Sequence, residues 1–69
     1  MTYAELTRKL KKLGCRFRRR AKGSHEIWWH PGRKLYTTIP RHGRKEIAAS
    51  TLNKILKDLG FTMEDLRGL

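Results

Sequence analysis

The 69-residue chain predicts a small α+β fold of order αβββα, a three-stranded antiparallel sheet with both helices on one face. Three observations carry that expectation. Apolar residues recur at helical spacing near both ends of the chain. Aromatic and β-branched residues gather in short runs in its middle, and Gly or Pro punctuates the joins. Two helices that each own one apolar stripe need a surface to rest on, and a small sheet supplies it most economically. The other sheet face then stays open.

Each element has its own local reason. Thr2-Tyr3-Ala4-Glu5 is a capping-box pattern, in which the Thr hydroxyl accepts from the N3 amide while Glu5 reaches back. Tyr3, Leu6, Leu10 and Leu13 follow as one helical stripe, and Gly14 supplies the left-handed residue that ends it. Cys15 and Phe17 alternate with Arg16 and Arg18, as a half-buried strand requires. Ala21-Lys22-Gly23-Ser24 breaks that strand, and His25 to Trp29 reads as the second. Pro31-Gly32-Arg33-Lys34 is the expected hairpin turn, with Pro fixing φ and Gly32 taking a positive one. Leu35 to Ile39 is the third strand, stopped by Pro40. Pro40 to Ala48 is polar and basic, hence a loop. Ser50 or Thr51 is the expected cap of a second helix with Leu52, Ile55, Leu56 and Leu59 on its face, closed by Gly60. Thr62 to Asp65 repeats the capping box and predicts a short terminal turn to about Leu66.

Composition bounds the function. Residues 1–69 leave room for a single small domain, and a chain of this size buries only about 60% of its unfolded surface. Lys and Arg total 17 against 6 Asp and Glu, a formal charge of +11. Residues 1–45 hold 14 of those basic side chains and 2 of the acidic ones; residues 46–69 hold 3 and 4. From Leu6 to His25 no carboxylate interrupts the cations. A charge run is often only a solvated surface. Here nothing nearby neutralises it, so self-repulsion opposes folding unless a polyanion relieves it, and nucleic acid is the partner this predicts. The lone Cys15 has no intrachain disulfide partner, which fits a reducing cytoplasm. The longest bulky apolar run, Ile27-Trp28-Trp29, is far short of a membrane span or a signal segment.

Candidate chemistry narrows to histidine. The six carboxylates are scattered, whereas two-metal phosphodiester chemistry needs several that converge. Cys15, His25, His30 and His42 share no zinc-ligand spacing, and no glycine-rich loop carries a phosphate-binding lysine. No metal and no cofactor is expected. His25 directly follows Gly23-Ser24 among Arg and Lys, and an imidazole there can take a proton from a 2′-hydroxyl or give one to a leaving 5′-oxygen. It can equally be a polar strand-edge residue or a phosphate contact. Gly23 and Ser24 are expected to position the histidine. Arg19, Lys22, Arg41, Arg44 and Lys45 are expected on the phosphate backbone, with His42 a loop residue touching phosphate and His30 a surface residue. Trp28 and Trp29 must face opposite sides of their strand: one in the core, the other on a base, on a partner protein or in ordinary edge packing.

Gly23-Ser24-His25, the hairpin after it, Ile39-Pro40-Arg41-His42-Gly43 and the Thr51-Leu52-Asn53-Lys54-Ile55-Leu56 helix with Leu59-Gly60 together resemble the HicA toxin family across residues 3–61. The resemblance implies a double-stranded-RNA-binding-like αβββα domain acting as the toxin of a type II toxin–antitoxin pair in the bacterial stress response. It implies metal-independent endoribonuclease activity on mRNA, with the histidine of the Gly-Ser-His motif, His25, as the functional one. It also implies a HicB-type antitoxin as partner. Where family members often have Gly before the Thr-Leu helix start, this chain has Ser50, itself a good N-cap. The alternatives are a noncatalytic double-stranded-RNA-binding or adaptor module and, further off, a basic protein that neutralises an acidic partner.

Overall fold

The computed structural model describes residues 1–69 and orders them as α1 (Tyr3–Lys12), β1 (Arg16–Arg20), β2 (His25–His30), β3 (Leu35–Pro40), α2 (Ala49–Leu59) and α3 (Met63–Leu66). The strands pair antiparallel in the order β1-β2-β3, so the expected α+β architecture is the observed one. Both capping boxes form. Thr2 Oγ1 accepts from the Glu5 amide at 3.3 Å while Glu5 Oε1 accepts from the Thr2 amide at 3.2 Å, and Thr62 and Asp65 make the same reciprocal pair. Gly14 and Gly60 close α1 and α2 at φ 97° and 77°, a region L side chains resist. Leu6 and Leu10 of α1 meet Ile55, Leu56 and Leu59 of α2 in one core, completed from the sheet by Trp28 and Ile39.

The pleat sorts the strand residues. Glu26, Trp28 and His30 face the helices together with Thr37 and Ile39; His25, Ile27 and Trp29 face the other way with Tyr36 and Thr38. Tyr3 of α1 and its C-cap Leu13 bond to Glu26 and His30, and Asp58 of α2 bonds to Thr37, so both helices cover the same face.

Four local expectations are corrected. β1 is not half-buried: all five of its residues are exposed, Phe17 at 47%, because it is an edge strand beyond the cover of the helices, and Phe17 touches only the edge of Trp28. A bulge between Phe17 and Arg19 adds Arg18 to the strand, which keeps Arg19 on the open face with Ile27 and turns Arg20 toward Glu26. The positive φ of the β2–β3 turn falls on Lys34 (56°) rather than Gly32, since the Lys34 amide closes a four-residue loop onto the His30 carbonyl at 2.8 Å. α2 starts before Ser50 and Thr51, on Ala48 with no side-chain cap. A bridge between Thr2 and Glu46 and the bond from the Ile47 amide to the Met1 carbonyl pin the chain there, so tertiary pairing sets the helix start and Ser50 lies inside the first turn.

His30, the fourth, is half-buried and engaged by its neighbours rather than a free surface residue. Its ring packs against Gly14, Gly32 and Phe61. Nδ1 accepts from the Arg33 amide at 3.0 Å and Nε2 donates to the Leu13 carbonyl at 3.1 Å, which fixes the tautomer because an amide only donates and a carbonyl only accepts. It fastens the C-terminus of α1 to the hairpin.

Candidate nucleic-acid and catalytic site

At the opposite end of β2 the chain is open. The β1–β2 turn is narrow enough that the Ala21 amide reaches the His25 carbonyl at 2.9 Å. Gly23 occupies it at φ 67°, with nothing within 4 Å of the space a Cβ would take, so the requirement for glycine is one of backbone conformation. His25 is exposed on the open-face side. Its Nδ1 lies 3.2 Å from the Lys22 carbonyl, which can only accept, so Nδ1 carries the hydrogen and the neutral ring keeps its lone pair on Nε2. Nε2 makes no hydrogen bond to the protein. A base oriented through one nitrogen and unoccupied at the other is the arrangement proton transfer requires.

The loop after β3 is drawn to the same end. His25 pairs with Pro40 across the sheet, and the Arg41 amide donates to the Ser24 carbonyl at 2.9 Å. Ser24 thus positions the loop through its backbone. The His42 ring stands edge-on to His25, 6.5 Å between ring centres at 79°. His42 also lines a cleft of about 220 Å³ with Tyr3, Lys45 and Thr51, beside the start of α2. Lys22, Arg44 and Lys45 are exposed around this end, and Arg19 lies on the same face as His25.

Not every cation is free for a ligand. Arg41 is 3.7 Å from Glu26 and lies over the Tyr3 ring. Arg16 donates to the Lys11 and Cys15 carbonyls at the end of α1, and Arg33 donates to those of Leu59 and Gly60 at the end of α2, so both serve as helix caps. Arg18 stacks on Trp29 with its guanidinium carbon 4.3 Å from the ring centre.

The tryptophans divide as the pleat demands. Trp28 is 2% exposed in the core, which withdraws it from the candidate contact residues. Trp29 lies on the open face, stacked on Tyr36 at 5.3 Å.

One feature of the site has no counterpart in the sequence reading. Glu26, next to His25 but pointing inward, is 4% exposed and accepts from Tyr3 Oη at 2.5 Å and Trp28 Nε1 at 3.0 Å. Burial pushes its carboxyl up, but those two hydrogen bonds and the charges of Arg41 and Arg20 outweigh burial and hold it below the ordinary range. The same contact, after burial, pushes the Tyr3 phenol up to about 12. The signal was available: a lone carboxylate two residues before an inward Trp, on a strand of period two. Burial pushes the Cys15 thiol up against the opposing charges of Arg33 and Arg16, so it is a poor nucleophile.

A family model describing the HicA toxin of bacterial toxin–antitoxin systems matches residues 3–61. The chain belongs to the HicA toxin family. Comparison with curated proteins gave no match, and comparison with solved structures gave none. Membership makes this chain the toxin side of a toxin–antitoxin pair, with a cognate antitoxin as its counterpart. The matched span contains His25, His42, the β2–β3 hairpin between them and α2, so the whole of the open end lies within the HicA region. No helix is long and apolar enough to cross a membrane.

Proposed function

We propose that this HicA-family chain is a single-domain, metal-independent endoribonuclease of a type II pair that cleaves mRNA in the cytoplasm, with His25 as the acid–base residue. The observation that carries the reading is the held Nδ1 and open Nε2 of His25, set among exposed cations. In the step this supports, Nε2 takes the proton of a 2′-hydroxyl and the 2′-oxygen bonds to the adjacent phosphorus. The bond to the 5′-oxygen breaks, leaving a 2′,3′-cyclic phosphate. Lys22, Arg44 and Lys45, with Arg19 on the His25 face, hold the backbone and stabilise charge developing on the phosphate. Arg41 contributes its outward charge while tied to Glu26. Gly23 and Ser24 shape the turn that presents the ring.

A HicB-type antitoxin is the expected protein partner, and the open sheet face suits it. Arg18 and Arg19 lie there with Trp29 and Tyr36, and none of the six carboxylates does. An acidic surface steered onto it would find Trp29 as an aromatic anchor and, at the sheet end, His25.

The deciding experiment is cleavage of a labelled RNA by the purified chain in EDTA. Cleavage by the native chain, abolished in a folded His25→Ala variant, is the expected result. RNA binding without cleavage would instead favour the noncatalytic module.

A further inference from the structure

In-line transfer at phosphorus involves two oxygens: the entering 2′-oxygen gives up a proton, and the leaving 5′-oxygen must gain one. His25 meets the first need. Few groups around it can meet the second. Glu26 has its oxygens engaged by Tyr3 and Trp28 and is held ionised, and the Tyr3 hydroxyl points its hydrogen at that carboxylate. Arg41 is a fixed charge on the same pair. The remaining neighbours are lysines and arginines, which bind phosphate as cations. His42 alone offers an imidazole, and the Arg41–Ser24 backbone bond holds its loop against the His25 turn.

We infer that His42 is the second catalytic residue, the general acid that protonates the leaving 5′-oxygen. This deepens, and rests on, the reading of His25 as the base. Ring centres 6.5 Å apart and nearly perpendicular let two different ring edges reach oxygens of one phosphodiester, each through a hydrogen bond of about 2.8 Å. The rings are too far apart to spend those nitrogens on each other. The roles follow from the proposed reading of His25 as the base, which leaves the acid to His42. His42 adjoins His25 on one side and lines the cleft with Tyr3, Lys45 and Thr51 on the other. The balance closes: His25 gains the 2′-hydroxyl proton, the new bond from the 2′-oxygen to phosphorus replaces the one to the 5′-oxygen, and His42 gives its proton to that oxygen. Exchange with water resets both rings.

The test compares two substrates of unlike leaving group: an RNA dinucleotide and a nucleoside 3′-(4-nitrophenyl phosphate), whose nitrophenolate departs without a proton. On the dinucleotide, His42→Ala and His42→Gln are expected to lose about 10²–10⁴-fold in kcat. On the nitrophenyl ester both should return to within a few-fold of the native chain, while His25→Ala stays impaired on both substrates. Equal losses for the His42 variants on the two substrates, rescue by Gln on the dinucleotide, or no loss on either would overturn the assignment and leave His42 a phosphate contact. If His25→Ala matches the native chain on RNA, or the native chain cleaves neither substrate, the ribonuclease reading fails, and the role of His42 with it.

Discussion

β2 begins and ends with a histidine, and the two ends of the strand put the same side chain to opposite uses. His30 faces the helices, packs against two glycines and Phe61, and has both nitrogens engaged by backbone groups of neighbouring segments. His25 faces the open side, with one nitrogen held by the carbonyl of its own turn and the other presented to solvent. Residue type is therefore uninformative about role; the number of ring nitrogens already committed decides it. One histidine fastens the fold, and the other keeps a ring nitrogen open to solvent.

The largest expected effect separates the two ends outright. His25→Ala should reduce RNA cleavage by at least about 10²–10⁴-fold, the usual worth of a positioned acid or base, in single-turnover assays. Because the ring is exposed, its thermal midpoint should stay within the small range of surface substitutions. His30→Ala should do the reverse. It removes the ring from between Gly14, Gly32 and Phe61 and strands the part-buried Leu13 carbonyl, while the Arg33 amide keeps the His30 carbonyl. A lost partner of this kind costs about 1–3 kcal/mol, and each kcal/mol lowers the midpoint of a domain this size by roughly 4–8 °C. Cleavage per folded molecule, measured well below that midpoint, should persist.

A smaller effect sharpens the same contrast. Gly23→Val places a β-branched residue at φ 67°, a strain of about 1–2 kcal/mol that the turn can relieve only by moving. Since no atom of the protein blocks the new side chain, the fold should survive while His25 is displaced. Cleavage is expected to fall more steeply than stability, and full activity on the same RNA would show the glycine to be incidental.

Much of this was legible in the sequence where the signal was local. Capping boxes, Gly14, Gly60 and the two helical stripes marked the elements, and Gly23-Ser24-His25 marked the candidate site. What was illegible depended on distant pairing. The bridge to Glu46 starts α2 at Ala48 whatever Ser50 prefers. A bulge at Arg18 reassigns the faces of Arg19 and Arg20. The contact between His25 and His42 spans a whole hairpin, and nothing in either tripeptide announces it. Trp28 and Trp29 were separable only as a pair until the helices chose a side.

The smallest expected effect concerns the layer under the site. Glu26 and Asp58 are both held below the ordinary carboxyl values of 4.5 and 3.8. Burial opposes this in each; hydrogen bonds from Tyr3 and Trp28 prevail in Glu26, and those from Lys54 and Thr37 in Asp58. A carboxyl whose folded value is depressed stabilises the fold fully above its unfolded value, and that contribution is lost as pH falls through the folded one. Denaturant midpoints should therefore be level above about pH 5 and decline below it. Glu26→Gln should flatten part of that decline, and an unchanged acid limb in that variant would remove Glu26 from the account.

To act as the base, His25 must keep its hydrogen on Nδ1 and its lone pair on Nε2, the reverse of His30. Long-range ¹H–¹⁵N correlation spectra of the histidine-labelled protein, at a pH where the rings are neutral, report this directly for each ring. The expected pattern is a protonated Nδ1 and an unprotonated Nε2 for His25, with the opposite assignment for His30. A His25 ring protonated on Nε2, like that of His30, would contradict the orientation by the Lys22 carbonyl and with it the base assigned to the site.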